Sequence, residues 1–174
     1  MSLAEVMVVV GIVSGLSSTT DFRGAQLQAN SVACTQQLRA VATALQMFAN
    51  AEGKLPDAAF YPKGDPKTDP KSIVVLLKGY VDPKGFICPS APESLKQKGL
   101  TFVWNQAASG KDPAALDPKT WLMIEINAVS AKFPPPHLGK YHVLCADFNV
   151  REVDKVPEDL AKLVKDLPIG EKAK

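Results

Sequence analysis

The sequence predicts an α+β protein: a long N-terminal α-helix packed on a small antiparallel β-sheet, with a short C-terminal helix. Three observations predict it. An apolar run opens the chain and passes into apolar residues at helical spacing as far as Phe48. Three segments rich in β-branched and aromatic residues follow, at 101–105, 120–128 and 141–153. Pro157, with Glu158 and Asp159 in the first turn behind it, then opens a last helical segment. No internal repeat is visible in the 174 residues.

Residues 1–16 are apolar almost throughout, and the one acid among them is Glu5. An ionised side chain in a greasy helix costs several kcal/mol and marks a site with a partner. No other formal side-chain charge occurs in the first twenty residues. The nearest cation is therefore the α-amino group of Met1, on this chain or on a neighbour. Gly11-Ile-Val-Ser-Gly15 is a Gly-x-x-x-Gly step, and Ala4 and Ser18 lie near the same stripe. Small residues at that spacing let helices approach closely. A secretory signal peptide would carry Lys or Arg before the run and a small-residue cleavage site after it. A membrane span needs roughly twenty apolar residues, whereas Leu3 to Leu16 reaches only about 21 Å at 1.5 Å per residue. A buried core helix would leave Glu5 facing nothing. The run reads best as a helix surrounded by other helices.

The helix continues. Leu27, Cys34, Leu38, Val41, Leu45 and Phe48 form one stripe, and Gln28, Thr35, Gln36, Gln37 and Arg39 fill the opposite face. It should stop near Gly53, ahead of Pro56. Residues 15–24 are rich in weak helix formers, which predicts local unwinding or bending there. Residues 54–70 read as a loop punctuated by Pro56, Pro62, Pro66 and Pro70. Ser72 caps a short helix over 73–78, ended by Gly79. A turn-rich stretch carries Phe86-Ile-Cys-Pro-Ser90, and the three strands follow. Phe133-Pro-Pro-Pro136 cannot join a sheet interior and should be an extended connection. The last helix runs from Pro157 to about Leu167. The chain thus divides into an apolar N-terminal helix, 1–24, and a globular domain, 25–174, that includes the second half of the long helix.

A net charge of +2 with both signs dispersed gives no footprint for nucleic acid. The lysines of 155–174 alternate with acids and read as a solvated face. Few aromatics and no Cys-x-x-Cys-His argue against haem. His137, His142, Cys145 and Asp147 could supply a Cys–His nucleophile or a metal set. Their spacing is unspecific, and Cys145, in mid-strand, reads as a small buried hydrophobe. The expectation is no catalytic residue, no metal and no cofactor, with His137 a loop anchor bonded to Asp147. Among three cysteines, Cys34 on the helix stripe and Cys88 in its loop form the preferred disulfide, leaving Cys145 free. Three buried thiols are the alternative.

Met1, Ser2, Leu3 and Glu5 stand in the register of a mature type IV pilin or type II secretion pseudopilin, and the N-terminus resembles that family. The resemblance implies a pilin-like fold, a removed leader peptide, an N-methylated Met1, and a Glu5 that meets the amine of an adjacent subunit during assembly. His137, nine residues and then Asp147 resembles the prepilin-processing-associated family, whose tail reads His, nine residues, Asp-Gly. Residues 33–53, Phe86-Ile-Cys-Pro-Ser90 and Val103-Trp-Asn105 are similar to that family's blocks. The chain departs in three places: Met1 stands for the usual Phe, Phe22 for a common Pro, and Phe148 for the Gly after Asp147. If that Gly served a tight turn, the role is lost here.

The resemblance implies a structural filament subunit, not an enzyme, that forms a helical homo-oligomer through its N-terminal helix. Its partners would be an inner-membrane prepilin peptidase and assembly machinery. It would sit in the inner membrane before assembly and in an extracellular filament at the cell surface afterwards. A pseudopilin of a secretion or uptake machine is the alternative within this class. A membrane-anchored ligand-binding domain is the alternative outside it.

Overall fold

Helix-forming residues dominate the chain as far as Glu52, and a single helix, α1 (Ser18–Glu52), takes them up. Its 35 residues span about 52 Å at 1.5 Å per residue. The structure, a computed structural model, describes the backbone of residues 18–129 and 133–166, and side chains over 22–129 and 133–163. Met1, Glu5, Gly11 and Gly15 lie outside the described residues, as does the apolar run that contains them. Among the described residues, no helix is long and apolar enough to cross a membrane.

Cys34, Leu38, Val41 and Leu45 are wholly buried, so the predicted stripe is the core face of α1. Gly53 ends the helix at φ +70°, donating its N–H to Ala49 O at 2.8 Å. The expected unwinding is not seen over 18–24: α1 runs through those residues unbroken. Weak propensity costs under about 1 kcal/mol per residue, which continuous i→i−4 bonding overrides. Ser72 caps α2 (Ile73–Leu76) by accepting the Val74 N–H at 3.3 Å. A further single turn, α3 (Glu93–Lys96), precedes the sheet.

Four strands form an antiparallel meander in the order β1-β2-β3-β4: Phe102–Trp104, Trp121–Glu125, Tyr141–Cys145 and Val150–Val153. Phe102, Trp104, Leu122, Met123 and Leu144 pack with the α1 stripe in one core. Val103, Trp121, Ile124, Val143 and Cys145 face the other way, where Leu160 of α4 (Glu158–Asp166) joins them. Both faces of the sheet are therefore covered. The second predicted strand, 120–128, stops at Glu125 and passes into a 3₁₀ turn, Ile126–Val129.

Residues 141–153 are two strands rather than one. A hairpin divides them: Phe148 N–H donates to Cys145 O at 2.8 Å, and Cys145 N–H to Asn149 O at 3.0 Å. Phe148 holds φ +60°, the left-handed place that a glycine usually fills in such three-residue loops. The tight turn expected to be lost with the glycine is therefore kept. Asp147 supports it by accepting the Asn149 N–H at 3.1 Å and two bonds from the Arg151 guanidinium. The Phe148 ring is half-buried against the main core, which offsets the strain. Phe148→Ala, which keeps the strain and loses the ring, should destabilise by about 2–3 kcal/mol. Phe148→Gly should recover about 1 kcal/mol of that. Chemical denaturation of the pair checks the order.

Candidate functional site

Ser31, Cys34, Thr35 and Leu38 share one face of α1 by their spacing of three and four. That face crosses the ends of β2 and β3. Glu125 reaches it because of a β-bulge between Trp121 and Met123. The bulge puts Leu122 and Met123 both on the α1 side, so Ile124 turns away and Glu125 turns in. His142 lies two residues before Leu144 and shares its face. His137 arrives by a tight hairpin: it exchanges both backbone hydrogen bonds with Lys140, at 3.2 and 3.0 Å. Leu138 and Gly139 have φ of 52° and 87°, the positive pair that a mirror-image two-residue turn requires. Cys88 is pinned from a fourth direction, its N–H donating to Thr101 Oγ1 at 2.6 Å.

Glu125 is the hub of the cluster. Its Oε1 lies 3.2 Å from His137 Nε2, 3.3 Å from His142 Nδ1 and 3.5 Å from Cys34 Sγ. Its Oε2 accepts the backbone N–H of His142 at 2.8 Å. The two imidazoles stack, centroids 4.2 Å apart. On the far edge of His142, Nε2 faces Ser31 Oγ at 3.3 Å, Thr35 Oγ1 at 3.4 Å and Glu152 Oε1 at 3.5 Å. Cys88 Sγ lies 3.3 Å from His137 Nε2. His142 Nδ1, although close to Glu125, is not aligned for a hydrogen bond, and neither it nor His137 Nδ1 has a hydrogen-bond partner among the described residues.

Cys34, Glu125, His137 and His142 are each 2 % exposed or less. Unpaired charges there would be costly, so the groups set one another's protonation. The Cys88 hydrogen bond, burial and the Glu125 charge push the Cys34 thiol far above its usual range. Hydrogen bonds from Cys34 and from His137 outweigh burial and bring Cys88 down to about 6. Burial would lower His137, but bonds to Cys88 and Glu125 win and hold it near 9. Burial likewise opposes the ionised Glu125, and its close contacts with His137 and His142 keep its pKa below the ordinary value.

Several sequence expectations meet this geometry. Cys34 and Cys88 are brought close to one another, but the expected disulfide is not formed and both thiols are free. His137 and Asp147 are not partners: His137 is held by Glu125 and Cys88, while Asp147 pairs with Arg151. Cys145 is buried on the opposite face of the sheet, with Val143 and Trp121, and does not join the histidines.

No metal was expected, yet the fold gathers Cys34, Glu125, His137 and His142 with ligating atoms all within 4.8 Å of one another. Glu125 is the residue that sequence reasoning passed over. Its signal was an acid closing the otherwise apolar Trp121-Leu-Met-Ile-Glu125. No protein family, curated protein or solved structure matches this chain.

Proposed function

We propose that this chain is a structural subunit of a type IV pilus-like extracellular filament, with a pilin-like fold, assembled through its N-terminal helix. One observation carries the reading. The first fully buried residue of α1 among the described residues is Cys34, with half-buried residues from Leu27, whereas residues 22–26 are exposed, Phe22 to 74 %. The helix at 22–26 thus stands clear of the core, shortly after the apolar run in sequence. A projecting helix that continues an apolar segment needs lipid or other helices around it.

On this reading Gly11 and Gly15 let neighbouring helices approach, and Glu5 meets the terminal amine of an adjacent subunit. The partners are further copies of the chain, a prepilin peptidase and an assembly machine. The chain lies in the inner membrane before assembly and at the cell surface after it. The enclosure of the His–Cys–Glu cluster supports a structural role over an enzymatic one.

The test is recovery of sheared surface filaments, with mass spectrometry to identify the subunit. The chain should be their major protein, and Glu5→Ala should remove filaments while the folded domain persists in the cell. Losing the carboxylate leaves an amine unpaired in an apolar core, at a cost of about 3–5 kcal/mol. Undiminished filaments from Glu5→Ala overturn the assembly role. Recovery of the chain only in a secretion complex, or only as a dispersed membrane protein, overturns the pilus reading.

A further inference from the structure

We infer that the domain is built around a structural zinc ion held by Cys34, Glu125, His137 and His142. The inference stands on the folded domain alone and is independent of filament assembly. A zinc ion takes four ligands at about 2.0–2.3 Å in a tetrahedron, whose edges are then about 3.3–3.8 Å. The contacts of Glu125 Oε1 with His137 Nε2, His142 Nδ1 and Cys34 Sγ are 3.2, 3.3 and 3.5 Å. These match three of the six edges of such a tetrahedron, and the other three pairs of ligand atoms lie within 4.8 Å, close enough to draw in on an ion. Of the three, only the Cys34 contact has hydrogen-bond geometry; His137 Nε2 has Cys88 Sγ as its hydrogen-bond partner, and His142 Nδ1 has none among the described residues. That nitrogen is buried and free to ligate.

The surroundings fit as well. A ligating histidine usually donates its other ring N–H to an oxygen, and His142 Nε2 has Ser31, Thr35 and Glu152 oxygens within 3.5 Å. The second oxygen of a ligating carboxylate is usually hydrogen-bonded, and Glu125 Oε2 accepts the His142 N–H at 2.8 Å. Sulfur, two imidazoles and one carboxylate suit a borderline-soft cation, which favours zinc over calcium or magnesium. Four buried protein ligands and no open face describe a structural site, not a catalytic one. Cys88, beside His137 Nε2, flanks the set and is the competing partner for Cys34.

The experiment uses the full chain, purified in detergent under mild reductant and without added chelator. Elemental analysis should find zinc at one per chain. A strong chelator should remove it and lower the melting temperature, and zinc alone should restore both. Cobalt substitution should give the visible bands of tetrahedral Co(II) and a near-ultraviolet thiolate charge-transfer band. Cys34→Ser should abolish the thiolate band, whereas Cys88→Ser should retain it. Glu125→Gln should weaken zinc retention at least tenfold.

Wild-type elemental content and the chelator response remain decisive where a variant does not fold. Substoichiometric metal in the wild type overturns the inference. So does a Cys34–Cys88 disulfide found in metal-free, folded chain, or a thiolate band that depends on Cys88 instead of Cys34.

Discussion

Leu45→Asp is expected to unfold the domain, and Met47→Asp to leave it folded. The two residues are one half-turn apart on α1, yet Leu45 is wholly buried and Met47 is 52 % exposed. Removing the Leu45 side chain from the core costs about 2–5 kcal/mol. The carboxylate put in its place enters the core that also holds Leu38, Phe102 and Leu122, where an unpaired polar group costs several kcal/mol more. The sum reaches about 5 kcal/mol or more, the scale of a whole domain's stability. At Met47 the expected loss is about 1 kcal/mol or less, the helix-propensity difference of Asp. Circular dichroism melts and limited proteolysis of the full chain in detergent read both. A cooperative melt and protease resistance in Leu45→Asp would mean that the stripe does not pack the core.

The second large effect is at Glu125. Glu125→Ala should lower stability by about 3–5 kcal/mol, the usual result of taking one partner from a buried ionic group. It leaves the His142 N–H without its 2.8 Å acceptor and both imidazoles without their carboxylate neighbour. Glu125→Gln should cost less, because the amide oxygen still accepts the His142 N–H while the charge is lost. Denaturant midpoints measured on the three proteins after chelation isolate this from metal binding. Equal stability of Glu125→Ala and the wild type would show that the carboxylate is not the hub of the cluster.

Much of the fold was legible because its signals are local. The stripe from Cys34 to Leu45, the stop at Gly53, the Ser72 cap and the acids opening α4 each act within a turn or two of helix. Two local readings failed where a neighbouring interaction overrode propensity. Residues 18–24 stay helical within a long continuous helix. Residues 141–153 turn back at Phe148, which takes the left-handed conformation while its ring packs on the core. The cues for that hairpin were Asp147 and Asn149, read as strand because apolar residues surround them.

The sequence by itself determined the α+β class, the core face of α1 and the resemblance at the N-terminus from which the filament reading starts. Only the tertiary structure decided which polar residues meet. Cys34 and Glu125 are 91 positions apart, and Ser31 and His142 are 111 apart, distances over which periodicity carries no information. The decision hangs on register. Side chains alternate faces along a strand, so a shift of one residue sends each to the other side of the sheet. The bulge at Trp121/Met123 supplies that single residue and turns Glu125 toward His137, His142 and Cys34.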